Sequence, residues 1–155
     1  MRNKQKGFSL IELLIVVAII LIIAAIAIPN LLRSKMAANE ASAVGSLRTL
    51  NTACVEYSTT YGGYPAGLAN LAPAATATSA AADLIDSVLA TSTKSGYVFT
   101  FTPAAAVGGN VQSYTISAAP ITAGTTGQRG FFTNQSGVIR SDSSGTATIA
   151  STPIS

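Results

Sequence analysis

The sequence contains no histidine, no tryptophan and a single cysteine, Cys54, and only 10% of its 155 residues are charged. Without histidine, the commonest general base and the commonest zinc ligand are both missing, which removes His-dependent catalysis and most zinc sites. One thiol cannot close an intramolecular disulfide, so the fold is not stapled by cysteine. Acidic residues are few and scattered. Asp83 and Asp86 are the one close pair, and without a supporting His, Lys or Gly-rich pocket they make a poor acid/base site and suit the first turn of a short helix better. There is no phosphate loop, no metal-ligand spacing and no nucleophile–base constellation. The expectation is therefore a protein that is not an enzyme and holds no cofactor and no metal.

What charge there is lies unevenly. Three of the nine basic residues, Arg2, Lys4 and Lys6, precede Gly7. The other six (Arg33, Lys35, Arg48, Lys94, Arg129 and Arg140) are balanced by the six acids, so the net charge of +3 belongs to the leader. That is no basic patch on a folded part. Arg129 and Arg140 alone are a poor phosphate surface, which leaves a nucleic-acid partner uncertain.

After Gly7 comes a run of Phe, Leu, Ile, Val and Ala to Ile28, interrupted near its start by Glu12. Residues 8–32 form a helix of about 37 Å at 1.5 Å per residue, enough to cross a hydrocarbon core of ~30 Å. The basic residues before Gly7 favour a cytoplasmic N-terminus. A secretory signal places its cleavage site after the apolar segment. Here the candidate processing point precedes it, so both cleavage at Gly7 and an uncleaved signal anchor stay open. Pro29 either ends the membrane helix or kinks and loosens a longer one. The second reading is preferred. Leu32, Met36, Ala43, Leu47, Leu50, Cys54, Tyr57 and Tyr61 recur at spacings of three, four and seven, while Arg33, Lys35, Glu40, Arg48, Asn51 and Glu56 fall largely elsewhere on the wheel. One helix over 8–61 is predicted, ended by Gly62-Gly63 with Pro65 beyond.

The remainder reads as a head over 62–155. Residues 62–80 are loop. Ala81, Leu84, Ile85, Val88 and Leu89 give a short helix. Tyr97, Phe99 and Phe101 alternate as a strand with an aromatic face. Gly108-Gly109-Asn110 is a turn before a strand over Val111 to Ser117 that Pro120 stops. Gly130 to Thr133 and Val138 to Arg140 are two strands joined by the Asn134–Gly137 turn. Thr146 to Ala150 is a candidate edge strand. The predicted fold is α+β: a long N-terminal helix, apolar then amphipathic, packed on an antiparallel sheet of three to five strands. Asn134-Gln135-Ser136 matches a glycosylation acceptor, but turn chemistry explains it as well.

Lys6-Gly7-Phe8-Ser9-Leu10-Ile11-Glu12-Leu13, with the apolar run and Ala27-Ile28-Pro29 behind it, resembles the N-terminus of type IV pilins and of the related pseudopilins of type II secretion. The resemblance is close over Lys6 to Leu32. Over Thr126 to Phe132 and Ser136 to Arg140 it is a weaker likeness to small pilin-like heads. It implies a leader at 1–7 cut between Gly7 and Phe8 by a prepilin peptidase that then N-methylates Phe8. It implies an inner-membrane pool of precursor and subunit held in the lipid bilayer, an inner-membrane assembly machinery, and a homo-oligomeric extracellular filament cored by residues 8–32. In such a filament Glu12 pairs with the new amine of a neighbouring copy, which answers the cost of a carboxylate in an apolar run. Pro29 matches the position where the helix bends on assembly. The functional reading is a pilus subunit, serving adhesion, twitching or another task. A major pseudopilin of type II secretion is the alternative, and a membrane-anchored ligand-binding domain is the reading from another class. Two departures stand out. Many pilins close the C-terminal region with a cysteine pair, which this chain lacks. Major pseudopilins commonly hold calcium in the head, where only Asp83, Asp86 and Asp142 supply carboxylates.

Overall fold

The computed structural model describes residues 7–154. The basic residues of the expected leader, Arg2, Lys4 and Lys6, lie outside the described residues. The chain divides into two compact units, one ending at Lys35 and the other beginning at Met36. A single helix, α1 (Leu10–Tyr61), contributes to both, and Pro29 lies inside it without ending it. Gly62, at φ +79°, adopts the left-handed conformation that stops the helix, and its amide donates to the Ser58 carbonyl at 3.0 Å.

In the second unit α1 presents a stripe spaced alternately by three and four: Glu40, Ala43, Leu47, Leu50, Cys54 and Tyr57, all buried. That spacing keeps side chains on one side of a 3.6-residue helix. Against the sequence expectation, Glu40 is in the stripe rather than off it, and Leu32 is 48% exposed and outside it. The helix phase explains Glu40, which sits three residues before Ala43 and seven before Leu47.

The stripe packs in one core with the inner face of an antiparallel sheet. Its strands are β1 (Thr93–Lys94), β2 (Tyr97–Pro103), β5 (Tyr114–Pro120), β6 (Gly130–Asn134), β7 (Arg140–Asp142) and β8 (Thr152–Pro153), adjacent in that order. A separate hairpin joins β3 (Ala106–Val107) to β4 (Asn110–Val111). Alternation puts Tyr97, Phe99, Tyr114, Ile116, Ala118, Phe131 and Thr133 inward. The register confirms a shared face, with Phe99 opposite Ala118, Phe101 opposite Ile116, and Ala118 opposite Phe131. Phe101 stacks on Tyr114 at 5.4 Å between centroids and 12° between planes. Burial pushes the Cys54 thiol up to about 12, so it stays protonated as a small apolar filler of this core.

Four local expectations change. Val111 belongs to the β3–β4 hairpin rather than to β5, because its carbonyl accepts from Tyr64 N at 2.8 Å while Ala106 pairs with it. The helix expected from Ala81 shrinks to α2 (Ser87–Ala90). The amides of Ala82, Asp83, Leu84 and Ile85 bond instead to carbonyls of Asn70, Leu71 and Ala72 beside a 3₁₀ turn over Leu68–Leu71. Asp86 then caps α2, accepting from Leu89 N at 2.8 Å. The fourth strand starts at Arg140 rather than Val138, and the edge strand is β8 rather than Thr146–Ala150. In that segment Ser and Thr side chains compete for the backbone: Thr148 N donates to Ser151 Oγ and Ala150 N to Thr148 Oγ1. The sheet thus has six strands where three to five were expected, two of them only two residues long.

The tail is held without a disulfide. Ser141 pairs with Thr152, Arg140 Nη1 donates to the Ser151 carbonyl at 3.0 Å, and Ile154 N to the Ile139 carbonyl at 2.9 Å. Pro153 costs no ladder bond because β8 is an edge.

Polar ties set how the sheet sits on α1. Glu40 Oε1 accepts from the amides of Gln128 (2.9 Å) and Arg129 (3.0 Å), and its Oε2 accepts from Arg129 Nε at 2.8 Å. Asn39 Nδ2 donates to the Thr126 carbonyl. Asn51 donates to Thr133 Oγ1 and accepts from the Tyr114 hydroxyl. Burial alone would raise the Glu40 carboxyl, but the Arg129 and Gln128 amides and the guanidinium outweigh it and hold the group below its ordinary 4.5. A carboxyl depressed in the folded state adds stability above its unfolded pKa and loses it as pH falls through the folded value. We therefore expect the head to lose stability on acidification from roughly pH 5 to 3, more steeply than a Glu40→Gln variant. At neutral pH Glu40→Gln should cost about 1–3 kcal/mol, since one neutral amide oxygen replaces two charged ones and the amide NH2 cannot accept from Arg129 or the 128–129 amides. Urea titration of the full chain in micelles, followed by tyrosine near-ultraviolet dichroism, checks both. Parallel pH profiles for the two proteins would contradict the assignment.

Candidate functional site

The N-terminal site begins with backbone that is not helical. Gly7, Phe8 and Ser9 precede α1, and among the described residues nothing lies within 4 Å of a Cβ built on Gly7. Phe8 is 77% exposed. The Gly7–Phe8 peptide bond is thus accessible and outside the helix, the condition a peptidase needs.

Glu12 reaches back to the start of its own helix. Its Oε2 accepts from the Ser9 backbone amide at 3.1 Å, and Leu13 N donates to the Ser9 carbonyl at 3.3 Å. Ser9-Leu10-Ile11-Glu12 is therefore half of a capping box, with Glu at the third helical position satisfying one orphan donor. The sequence carried this signal, a Ser followed three residues later by Glu before an apolar run, and reading Glu12 only as a charge in the membrane overlooks it. A carboxylate has about four lone-pair sites, so one amide leaves most of its capacity free.

From Leu10 to Leu32, sixteen Leu, Ile and Val side chains are exposed. The most apolar 18-residue window of α1 has mean hydropathy 3.3 and none of it is buried. The helix is long and apolar enough to cross a membrane. Around Pro29, which lacks an amide proton, side chains take up backbone carbonyls: Asn30 Nδ2 donates to Ile26 O at 3.1 Å and Ser34 Oγ to Asn30 O at 3.0 Å. Arg33 and Lys35 follow the last apolar pair.

The other candidates have structural roles. Asp86 is committed to the α2 cap and to Lys94 Nζ at 2.9 Å, and these partners hold its carboxyl below the usual range. Asp83 lies outside α2 at φ +55°. Asp142 accepts from Ser144 N and Ser151 Oγ. Among the described residues no three His, Cys, Asp or Glu side chains converge as a metal site. Asn134 Oδ1 accepts from both the amide and the hydroxyl of Ser136, which is the turn chemistry of the β6–β7 connection.

Residues 2–28 match the prokaryotic N-terminal methylation motif. The chain is 65% identical over 40 residues to the type IV wide pilus major component PilA4 of Thermus thermophilus, which is 26% of this chain and 30% of that protein. It is 50% identical over 50 residues to the type IV major pilin protein PilA of Myxococcus xanthus, covering 32% of this chain and 23% of that one. It is 35% identical over 77 residues to the type II secretion system core protein G of Escherichia coli, 48% of this chain and 53% of that one. The chain thus spans about a third or less of the length of these two pilins and about half of the secretion protein. No solved structure matches it. The motif, the likeness to pilins and pseudopilins, and a long apolar helix that runs on into an antiparallel α+β head agree: this chain carries the N-terminal methylation motif of type IV prepilins on a pilin-like fold.

Proposed function

We propose that the chain is the structural subunit of a type IV pilus. It is cut between Gly7 and Phe8 by a prepilin peptidase, methylated on Phe8, held in the inner membrane through residues 8–32 until the assembly machinery extracts it, and polymerised outside the cell. The observation that carries the reading is the combination at the N-terminus: an open Gly7, Glu12 with spare acceptor capacity, and sixteen exposed apolar side chains behind them. In the filament, Glu12 takes the Phe8 ammonium of a neighbouring copy, an attraction strengthened where water is excluded. Pro29, which lies inside α1 and leaves the Ala25 carbonyl without its helical donor, is where α1 gives way on assembly.

A second reading has its own support. The likeness to a type II secretion core protein runs over 77 residues, further than the 40 and 50 of the two pilins, and favours a pseudopilin in a short secretion filament. Electron microscopy of surface fibres with N-terminal mass spectrometry of their subunit separates the two. An abundant fibre whose subunit begins at methylated Phe8 is the expected result. A subunit that retains residues 1–7, or appears in no surface fibre, would count against the pilus.

Because none of the described residues crowds Gly7, Gly7→Val leaves folding untouched and obstructs only the peptidase. The expected mature mass is that of the uncut precursor, and a normally shortened chain overturns the cleavage assignment. Glu12→Gln separates the two roles of Glu12, since Gln keeps the capping box but loses the charge. Filament yield should fall as far for Glu12→Gln as for Glu12→Ala, with membrane insertion intact for both. Wild-type yield from Glu12→Gln would make capping, not charge pairing, the reason for the residue.

A further inference from the structure

At the C-terminal end of α1 a cavity of about 230 Å³ opens between the helix, the turn after it, the loop through Ser79 and the β3–β4 hairpin. Its walls carry Tyr57, Tyr61 and Tyr64, and its polar groups include Asn70, Ser79 and Asn110. No charged residue lines it. The chain has only five tyrosines, and three converge here.

The cavity is built rather than incidental. The Tyr57 and Tyr61 rings lie 4.7 Å apart, tilted by 45°, and Tyr64 stands edge-on to Tyr114 at 4.8 Å and 67°. The buried Tyr57 donates its hydroxyl to the Ser79 carbonyl at 2.7 Å, and Asn70 Nδ2 donates to the same oxygen at 2.9 Å. These bonds fasten the loop as a wall. Gly63 closes the opposite side: a Cβ there would stand 2.9 Å from Asn110 Cβ and 3.2 Å from Val111 N, so only glycine lets the hairpin approach. Tyr64 N donates to the Val111 carbonyl at 2.8 Å and seals that approach. The ring positions are thus fixed before any ligand arrives, which lowers the ordering cost of binding.

The unused polar atoms select the ligand. Among the described residues, the Tyr61 and Tyr64 hydroxyls and the Asn110 amide make no hydrogen bond, and the Asn70 amide oxygen is free. Phenols and amides offer donors and acceptors together. An anion wants donors and a cationic partner, which the lining lacks. An ammonium group could use the acceptors alone, would leave the phenol and amide donors unpaired, and finds no carboxylate in the lining. A wholly apolar ligand would leave the amides unpaired, at a cost. Sugar hydroxyls are each donor and acceptor, and the C–H face of a pyranose is apolar and suits the negative face of an aromatic ring. The volume falls just below that of drug-sized sites, which run from about 300 Å³, and suits a single ring.

We propose that this cavity binds one neutral sugar ring, stacked on Tyr61 and Tyr64 and hydrogen-bonded to Asn70 and Asn110. The site gives the head a recognition function that does not depend on whether the chain forms a pilus or a secretion filament.

Saturation-transfer NMR on the full chain, in micelles of a detergent without a sugar headgroup, tests it. The probes are glucose, galactose and N-acetylglucosamine at millimolar concentration, with choline as the cationic comparison. The expected result is transfer to the ring C–H protons of at least one sugar, lost in Tyr61→Ala and in Asn110→Ala. Asn110 is exposed in a hairpin and its side chain holds no bond, so Asn110→Ala reads binding without disturbing the fold, which far-ultraviolet dichroism verifies. Absence of transfer to all three sugars, transfer that survives both substitutions, or transfer to choline alone would each overturn the proposal.

Discussion

The constraint on which the rest depends is that the first half of α1 is apolar on every side. A helix with one apolar stripe can satisfy itself against a sheet, but a helix without a polar face cannot. Burying each Leu, Ile or Val side chain is worth about 1.5–3 kcal/mol, so the sixteen exposed between Leu10 and Leu32 represent tens of kcal/mol. That exceeds the ~5–15 kcal/mol by which a domain is stable at all. The segment therefore needs apolar surroundings, which a lipid bilayer supplies, and under the proposed pilus function a filament core would offer the same surface a second use. Glu12 is tolerable within that surface because it is near an end and already holds the Ser9 amide.

The second half of α1 meets the opposite requirement. From Met36 onward the helix acquires a polar face, and its remaining stripe is filled by the aromatic face of the sheet. A core of Leu47, Leu50, Tyr97, Phe99, Tyr114 and Phe131 supplies burial but little direction, because apolar packing is non-directional. Direction comes from Glu40 and Asn51, which fix the sheet against the helix through Gln128, Arg129, Thr133 and Tyr114.

How much of this was legible follows from the range of each interaction. The long helix, its end at Gly62, the alternation of Tyr97, Phe99 and Phe101 and the turn at Asn134 are encoded locally, in periodicity and turn chemistry, and the structure agrees with them. Gly7, Phe8, Glu12 and Pro29 are legible as a motif, and the structure adds their geometry: a non-helical Gly7 and Phe8, Glu12 on the Ser9 amide, and Pro29 inside α1. What stayed hidden depends on partners distant in sequence. Glu40 reads as a surface charge until residues 128 and 129 come to it, 88 and 89 positions later. The segment Ala81–Ile85 has a helical pattern, yet the amides of Ala82 to Ile85 find the carbonyls of Asn70 to Ala72 first. Thr152-Pro153 has no strand signature at all and is a strand only because β7 offers it an edge.

These hidden contacts also answer the lack of a second cysteine. A disulfide near the C-terminus acts mainly by restricting the unfolded chain. Here the restriction is replaced by native-state bonds that converge on the same end: β8 on β7, Arg140 to the Ser151 carbonyl, and Ile154 to Ile139. Such bonds stabilise only the folded head, so the tail opens and closes with the sheet edge instead of staying tethered when the sheet opens. Glu40 compounds this, because its tie to residues 128 and 129 is lost on protonation while a disulfide is indifferent to protons. A head fastened in this way gains its stability in the same pH range in which its carboxylates are charged, and it depends on no oxidising compartment to acquire it.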